Sequence, residues 1–267
     1  MTEKQISYEG KRIVYRTKGS GRPVMLIHGF GENASVWNNQ VSVISERHRL
    51  IIPDLPGSGS SGMIADMSME GMAEVMHEII HAEGIDRCTV IGHSMGGYVT
   101  LALAEKYWNH LHAFGLFHST AFADSEEKKE TRRKGIAFME QHGGPQFLAT
   151  SSPNLFSPVT KEENPGLVKD FLASLSNFST PPLVSYYAAM MKRPDRTTVL
   201  KDNPLPVLFV LGKYDVAVPL EDGLKLCHLP ENAYIHVLQR SGHLGMLEEA
   251  GESTRLLNDF LNRTSQI

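Results

Sequence analysis

The residue whose surroundings best suit it for chemistry is a serine in a short stretch bracketed by glycines. Ser94 is the central residue of 92–96, GHSMG, which follows the apolar run 88–91 and precedes the helix-like run 97–104. A serine at a sharp turn from strand to helix is strained, so residues two positions away must be small, and its Oγ stands above the sheet edge. The first N–H groups of the helix then point at whatever that oxygen attacks. The pattern therefore predicts a nucleophile at Ser94.

An acid and a base that could activate this serine follow it in the chain. Serine is a poor nucleophile until a base takes its proton, and the base works best when a carboxylate orients it. Asp215 follows the strand pattern 206–211, and His243 follows the last strand pattern, 233–238. The order serine, acid, histidine is the one expected of this motif, so we predict that Ser94, Asp215 and His243 form a catalytic triad. Rival acids that follow no strong strand directly are Asp124, Asp195, Asp202 and Asp222.

Two backbone N–H groups are predicted to bind the oxyanion that forms when a serine attacks a carbonyl. One belongs to Met95, directly after the nucleophile, and the other to Phe30, in the loop after the apolar strand 24–27. Gly29 and Gly31 give this loop a tight path. Each such donor contributes about 10²–10³ in rate.

Residues near the same strand ends are predicted to line the substrate pocket: His28, Gly29, Trp37, His93, His118 and Leu244. Alternatives stay open for four of them. His28 also fits a role as a brace for its loop, and His93 fits packing beneath the serine turn. His118 fits a surface position as well as a contact with substrate. Trp37 is more often a packing residue than a pocket wall.

A second catalytic-looking motif lies before the serine strand. Residues 77–81, HEIIH, match the zinc-binding H-E-x-x-H pattern, and Gly84 fits its longer form. A catalytic zinc needs three protein ligands, but the third position of the longer form holds Arg87, a cation that cannot bind zinc. Val75 and Ile80 form the apolar side that a helix turns to a sheet. We therefore predict no metal and no cofactor, with zinc hydrolysis kept as an alternative.

The elements that must position these residues alternate between strand and helix. Strand patterns lie at 6–8, 12–15, 24–27, 50–52, 88–91, 111–117, 206–211 and 233–238. Helix patterns lie at 35–44, 69–82, 97–104, 220–227 and 246–261. Short connections and continuous apolar strands predict an α/β fold whose mostly parallel sheet is covered by helices on both faces. Active groups of such sheets collect at the carboxyl ends of the strands, where Ser94, Asp215 and His243 fall.

The pattern changes between residues 121 and 202. This part lacks a strong buried strand and has charged, helix-like stretches separated by proline and glycine breaks. It predicts a helical insertion into the α/β chain. The charge run 125–134 is interpreted as the solvated face of one helix. Later aromatic residues and methionines are interpreted mostly as the core of the insertion, with a few facing the active site.

Five motifs together resemble those of the α/β-hydrolase superfamily: HGFG at 28–31, DLPGSGSS at 54–61, GHSMGG at 92–97, GKYD at 212–215 and GH at 242–243. The resemblance implies an eight-stranded, mostly parallel sheet and an inserted helical cap. It divides the chain into a core domain of residues 1–120 and 203–267 and a cap of residues 121–202. The start of the cap, 118–129, is similar to a branch of small bacterial carboxylesterases and enol-lactonase-like hydrolases.

Composition bounds the class of protein and its partners. The 267 residues carry a formal net charge of −4, so there is no electrostatic case for nucleic acid or an anionic membrane surface. No apolar run approaches transmembrane length, and the first residues lack a signal-peptide pattern. Two cysteines make no disulfide scaffold. We expect a cytoplasmic monomer or homodimer whose partner is a small-molecule substrate, with no nucleic acid and no membrane.

The predicted function is that of a serine hydrolase that cleaves a small, fairly apolar carboxylic ester or lactone. His243 would take the proton of Ser94, Asp215 would hold the imidazole in the useful tautomer, and an acyl-enzyme would form and be hydrolysed. The same triad permits carbon–carbon bond hydrolysis, lyase-like elimination or cofactor-free perhydrolysis. A non-enzymatic ligand receptor on the same fold is a further alternative. Dehalogenases and epoxide hydrolases are disfavoured, because they need an aspartate where this chain has Ser94.

Overall fold

The strands in the described part of the chain form one eight-stranded sheet. The computed structural model describes residues 1–175 and 178–264. The strands are β1 (Thr2–Tyr8), β2 (Lys11–Lys18), β3 (Arg22–Ile27), β4 (His48–Pro53), β5 (Cys88–His93), β6 (Leu111–Phe117), β7 (Val207–Gly212) and β8 (Ala233–Leu238). Their order across the sheet is β1-β2-β4-β3-β5-β6-β7-β8. Only the pairs β1–β2 and β2–β4 are antiparallel, so the predicted mostly parallel sheet is confirmed.

Helices connect the parallel strands and fill the long segment between β6 and β7. They are α1 (Asn38–Ile44), α2 (Met69–Ala82), α3 (Met95–Tyr107), α4 (Glu126–His142), α5 (Gly144–Ser151), α6 (Pro158–Glu163), α7 (Pro165–Ser174), α8 (Thr180–Lys192), α9 (Thr197–Asp202), α10 (Leu220–Leu224), α11 (Gly245–Glu248) and α12 (Ala250–Thr264). Short 3₁₀ helices lie at Ala34–Trp37, Trp108–His110 and Ser152–Leu155.

The apolar patterns in the sequence predicted most of the elements, and for three of them the predicted first and last residues are those observed. The predicted strands 111–117 and 233–238 and the predicted helix 69–82 coincide with β6, β8 and α2. The predicted first hairpin is too short, because antiparallel pairing runs from Thr2 and Thr17 to Tyr8 and Lys11. Many of the added residues are exposed and polar, so they carry no apolar pattern.

Two predicted helices are each split in two, and a third is shorter than expected. The predicted helix 35–44 begins as the 3₁₀ turn and continues as α1, while 246–261 is divided between α11 and α12. The predicted helix 220–227 ends at Leu224. A helical period in the sequence shows where apolar side chains recur but does not distinguish a 3₁₀ turn from an α turn.

Both faces of the sheet are buried. Along β3, Met25 and Ile27 pack in one apolar cluster with α2 and α3, whereas Val24 and Leu26 pack in a second cluster with α1 and α12. This alternation is expected, because successive side chains of a strand point to opposite faces. The helices thus cover both faces of the sheet, and its carboxyl edge carries the loops that follow β3, β5, β7 and β8.

The segment 121–202, called the cap region below, is helical from α4 to α9. Its residues Leu148, Leu183 and Tyr186 are buried in the same apolar cluster as α2 and α3. The hydroxyl of Tyr186 also lies 2.9 Å from Ser58 Oγ in a loop of the core. The boundaries at 120/121 and 202/203 stay predictions. Among the helices described, none is both long enough and apolar enough to pass through a membrane.

Candidate active site

Ser94 lies in a strained turn between β5 and α3. Its backbone φ is 49° and its ψ is −115°, a conformation that residues other than glycine rarely adopt. A Cβ on Gly92 would lie 2.1 Å from the carbonyl oxygen of Gly96, and a Cβ on Gly96 would lie 2.5 Å from that of His28. The turn therefore needs glycine at both positions, which is the physical basis of the G-x-S-x-G pattern.

Asp215 and His243 are brought together from the loops after β7 and β8. Nδ1 of His243 lies 2.8 Å from Oδ2 of Asp215, and the backbone N–H groups of Ala217 and Val218 each donate to Oδ1 at 2.8 Å. Burial raises the pKa of Asp215, but the charge of His243 and the hydrogen bonds from His118 and His243 outweigh burial and hold this pKa well below its usual range. Asp215 is therefore an anion, and because a carboxylate only accepts hydrogen bonds, Nδ1 of His243 carries a proton.

The main chain of His243 is held by neighbouring elements. Its N–H donates to the carbonyl of Leu155 in the cap region at 2.7 Å, and its own carbonyl accepts from Nε2 of His93 at 2.9 Å. The N–H of the preceding Gly242 donates to the Glu248 carboxylate at 2.8 Å. The loop that carries this imidazole is thus fixed by the cap region, by the serine turn and by α11.

Ser94 and His243 line one cavity of about 490 Å³. The loop after β3 supplies Phe30 and Glu32 to its wall, and the cap region supplies Arg132, Leu155, Tyr187 and Met190. In the part of the chain that the structure describes, the side chains of Ser94 and His243 form no hydrogen bond with each other. Such bonds often tighten only when substrate is present. The cavity therefore brings the predicted nucleophile and base to one space.

The two predicted oxyanion donors lie at the cavity and at a helix N-terminus. Phe30 lines the cavity, and Met95 is the first residue of α3. The first N–H groups of a helix have no partner within it, so they are free to bind an anion. The N–H of Gly29 donates instead to Oε2 of Glu32 at 2.7 Å, which fixes the loop just before Phe30. The assignment of Phe30 and Met95 as donors stays a prediction.

The structure corrects the predicted pocket lining. Six residues expected in the pocket wall lie outside the lining of the cavity and are buried: His28, Gly29, Trp37, His93, His118 and Leu244. A position just after a strand places a residue near the site, but its backbone conformation decides whether the side chain turns to the cavity or to the core. The sequence pattern reports only the position.

Two of these residues support the core. Nε2 of His28 accepts from the N–H of Leu55 at 2.9 Å, which agrees with the alternative that His28 braces its loop. Trp37 packs edge-to-face on Phe117, with the ring centroids 5.4 Å apart. Both therefore hold the edge of the sheet rather than the substrate space.

A buried ion pair that the sequence analysis missed lies beside the serine turn. Nδ1 of His93 is 2.9 Å from Oε2 of Glu32. Burial lowers the pKa of His93, but the charge and hydrogen bond of Glu32 outweigh burial and raise this pKa overall. Burial likewise raises the pKa of Glu32, but the charge and hydrogen bond of His93 bring it below its usual value. The two residues are 61 positions apart, so no local pattern announces the pair.

His118 is neither at the surface nor in the cavity wall. It is fully buried, and its Nδ1 lies 3.2 Å from Oδ2 of Asp215. Within residues 1–175 and 178–264, His118, Asp215 and His243 are the one group of three potential metal ligands whose donor atoms lie within 4.8 Å of one another. The facing nitrogens of both imidazoles are engaged with the same carboxylate oxygen.

The H-E-x-x-H motif lies on α2, where it covers the sheet. His77 stacks on the ring of Tyr107, with centroids 3.8 Å apart, and His81 is exposed. Among the described residues, no third ligand type joins this pair of histidines in a cluster. The motif therefore lacks the donor set that a catalytic zinc requires.

Comparison with known proteins decides the family. A model of the Alpha/beta hydrolase family matches residues 24–254, from β3 into α12. The chain belongs to the alpha/beta hydrolase family. The resemblance inferred from the five motifs is thus confirmed, together with the fold it implies.

Curated relatives of this alpha/beta hydrolase match it over most of its length. It is 27% identical over 259 residues to the pimeloyl-[acyl-carrier protein] methyl ester esterase of Methylococcus capsulatus, a match that covers 93% of this chain and 98% of that protein. It is 28% identical over 262 residues to the 2-hydroxy-6-oxo-2,4-heptadienoate hydrolase of Pseudomonas putida, a match that covers 91% of this chain and 90% of that protein. One relative is named for an ester and the other for a dienoate.

Solved structures agree with the fold. A thermophilic esterase from Thermogutta terrifontis superimposes with a TM-score of 0.92 at 27% identity and covers 99% of both chains. The enol-lactonase from Burkholderia xenovorans superimposes with a TM-score of 0.88 at 22% identity and covers 97% of this chain and 100% of that one. The predicted similarity to small bacterial esterases and enol-lactonases is therefore confirmed.

Helix α4 of this alpha/beta hydrolase contributes to the cavity, so the interpretation of 125–134 as a solvated face is wrong in part. Lys128 and Arg132 line the cavity. Nζ of Lys128 donates to the carbonyl of Ala217 at 2.9 Å, and Nε of Arg132 donates to Asp124 at 2.6 Å. Long basic side chains bury their stems while their charged ends reach a partner, which a charge count along the sequence does not reveal.

Proposed function

We propose that this alpha/beta hydrolase is a serine hydrolase that cleaves a small, fairly apolar carboxylic ester or lactone. The observation that carries the proposal is the 2.8 Å contact between Asp215 and His243, with His243 and Ser94 lining one cavity. A buried carboxylate that fixes the proton on Nδ1 leaves Nε2 of the imidazole as the base. This is the arrangement that a serine nucleophile needs.

The proposed reaction has two halves. His243 removes the proton of Ser94 as Oγ attacks the substrate carbonyl, and Asp215 stabilises the imidazolium that forms. The N–H groups of Phe30 and Met95 bind the oxyanion. His243 then protonates the leaving alkoxide, which departs as an alcohol or, for a lactone, stays attached as the other end of the opened ring. A water molecule, activated by His243 in the same way, hydrolyses the acyl-enzyme.

The cavity supports a small substrate of mixed character. Its volume of about 490 Å³ lies in the range of small-molecule sites. Phe30, Leu155 and Met190 give it apolar surface, while Arg132 adds polar surface. The Methylococcus relative is named for a methyl ester and the solved Thermogutta relative for an esterase, and both names favour ester cleavage.

Carbon–carbon bond hydrolysis is the second candidate. The 28% identical relative from Pseudomonas putida is named as a 2-hydroxy-6-oxo-2,4-heptadienoate hydrolase, and it matches almost as much of the chain as the esterase does. The same serine, histidine and aspartate would serve this reaction, so the residues do not separate the two. Substrates do.

The test compares the wild-type enzyme with Ser94→Ala on three substrate sets: p-nitrophenyl esters of increasing acyl length, simple lactones, and a 2-hydroxy-6-oxo-dienoate. We expect ester or lactone turnover that falls by about 10⁴–10⁶ in the variant, with little change in Tm. A fluorophosphonate probe should label the wild type at Ser94 and leave the variant unlabelled. Turnover confined to the dienoate would favour the second candidate.

Three outcomes would overturn the proposal. Ester turnover that survives Ser94→Ala undiminished would remove the serine from the mechanism. Inhibition by chelators without labelling by the probe would favour zinc chemistry, and the variant pair His77→Ala and His81→Ala would then test the α2 motif. Absence of labelling and of any turnover would favour a ligand receptor.

A further inference from the structure

One carboxylate oxygen faces two imidazoles. Oδ2 of Asp215 lies 2.8 Å from Nδ1 of His243 and 3.2 Å from Nδ1 of His118. A triad mechanism uses only the first of these contacts. His118 is fully buried at the end of β6, the strand between those that carry Ser94 and Asp215. The second imidazole therefore needs an explanation of its own.

The backbone of His118 is strained in the same way as that of the nucleophile. Both His118 and Ser94 have a φ of 49°, each directly after its own parallel strand. The two turns are joined, because the N–H of Ser94 donates to the carbonyl of Phe117 at 2.9 Å and Oγ of Ser119 donates to the carbonyl of Ser94 at 2.7 Å. Strained non-glycine residues of this kind cluster at functional sites, whereas a space-filling residue needs no such conformation.

Two glycines make room for the His118 ring. A Cβ on Gly212 would lie 2.7 Å from Cε1 of His118, and a Cβ on Gly245 would lie 2.5 Å from its Nε2. Nε2 is buried and has no hydrogen-bond partner among the described residues. The ring therefore packs closely on this side and makes its polar contact through Nδ1 alone.

The proton of His118 is assigned by its surroundings. The titratable groups that face the ring are Asp215 after β7, His243 after β8 and His93 at the end of β5. Burial lowers the pKa of His118 to about 4, even though the hydrogen bond and charge of Asp215 act in the opposite direction. The ring is thus neutral near neutral pH. Because Asp215 only accepts, the single proton lies on Nδ1 and is donated to Oδ2.

We propose that His118 is a positioning residue that, by donating to Oδ2, orients Asp215 and limits how strongly this carboxylate stabilises the protonated form of His243. The proposal rests on the proposed function for its catalytic consequence. An acceptor shared between two donors binds each of them less tightly than one that serves a single donor. The N–H of His118 therefore competes with that of His243 for the same carboxylate oxygen while it holds the carboxylate in place.

The test uses a matched pair of variants. His118→Asn keeps an N–H donor near the position of Nδ1 and tolerates a positive φ, whereas His118→Leu has a similar size and no donor. The first readout is the NMR titration of the His243 ring, which does not depend on turnover. We expect its midpoint to rise by about half a pH unit or more in His118→Leu and to stay close to wild type in His118→Asn.

The second readout is the pH profile of kcat/KM for an ester that the wild type cleaves. In His118→Leu the acid limb should move to higher pH in step with the NMR midpoint, and the plateau of kcat should fall about tenfold. In His118→Asn the acid limb and the kcat plateau should both stay close to those of the wild type. If the wild type cleaves no ester while the NMR midpoints shift as stated, the proposed function is wrong, but the proposed role of the hydrogen bond between His118 and Asp215 is still supported.

A third measurement needs no variant at position 118 to fold. In wild-type protein with ¹⁵N-labelled histidines, two low-field imidazole N–H protons should arise from contacts with Asp215, and both should move in Asp215→Asn. A single such proton would overturn the proposal. So would a His118→Leu protein that keeps the wild-type midpoint and acid limb while its Tm falls, because His118 would then serve stability alone.

Discussion

Oε2 of Glu32 lies 2.9 Å from Nδ1 of His93, and side-chain exposure is only 3% and 1% for the two residues. Through its other ring nitrogen, His93 donates to the carbonyl of His243. The pair thus joins the loop that carries Phe30 to the serine turn and to the loop that carries the His243 imidazole. A buried ion pair that spans three loops should matter to stability as well as to geometry.

We expect Glu32→Gln to lower the free energy of unfolding by about 3 kcal/mol, because it removes one partner of a buried pair. The loss depends on pH. The pKa of His93 is raised in the folded protein, so its stabilisation is complete below its unfolded pKa and is lost as pH rises through the folded pKa. The pKa of Glu32 is lowered, so its stabilisation is present above its unfolded pKa and is lost as pH falls.

Denaturant unfolding of wild type and Glu32→Gln across pH therefore checks this pair. The difference in the free energy of unfolding between wild type and Glu32→Gln should be largest between about pH 4.5 and 6.5 and should become smaller at alkaline pH. A gap that is constant from pH 5 to pH 9 would show that His93 does not titrate with Glu32. Glu46→Gln, at an exposed position, is the control and should leave unfolding unchanged.

The contrast between these residues shows what a sequence can reveal. Ser94, Asp215 and His243 could be singled out because each lies in the turn or loop that follows an apolar strand, and parallel strands bring their carboxyl ends to one edge. Glu32 could not, since its partner is 61 positions away and its loop has no periodic pattern. His118 follows a strand as the residues of the predicted triad do, so its location was foreseeable. Its direction was not, because that depends on a φ of 49°.

Asp215→Asn is expected to lower kcat by about 10³–10⁴ with a small change in KM, because the variant no longer fixes the proton of His243 on Nδ1 or stabilises its cation. The fold should persist, since an amide oxygen can still accept from Ala217 and Val218. Steady-state kinetics on an ester that the wild type cleaves make the test. The control is Asp195→Asn, an exposed rival acid, which should leave kcat unchanged. A loss below tenfold in Asp215→Asn would contradict the assignment.

Gly92→Ala should destabilise the protein by about 3 kcal/mol or more, because the new Cβ would meet the carbonyl oxygen of Gly96 at 2.1 Å and backbone atoms have no room to move aside. The matched change is Gly251→Ala in α12, where nothing lies within 4 Å of the new Cβ. There we expect a gain of about 0.5–1 kcal/mol, since alanine favours a helix. Thermal unfolding compares the two, and equal Tm values would contradict the geometry of the serine turn.

Asp124 pairs with two cations, of which Arg132 lines the cavity, and its replacement should weaken the cap region. Its carboxylate accepts from Nε of Arg132 at 2.6 Å and pairs with Arg193 at 2.9 Å, while Arg193 also stacks over the ring of Tyr98. The Asp124 side chain is fully buried. Asp124→Asn keeps the shape but removes the charge, so two largely buried guanidinium groups lose their counter-ion.

We expect Asp124→Asn to cost about 3 kcal/mol in the free energy of unfolding. Glu252→Gln, which breaks an exposed pair with Arg255, is the control and should cost less than about 0.5 kcal/mol. Burial raises the pKa of Asp124, but the hydrogen bond and charge of Arg132 and the charge of Arg193 lower it overall. Its stabilisation is thus present above its unfolded pKa and is lost as pH falls through its folded pKa. The difference in the free energy of unfolding between wild type and Asp124→Asn should therefore be constant near pH 7 and shrink only in strong acid. A gap that widens on acidification would contradict this assignment and place the stabilising charge elsewhere.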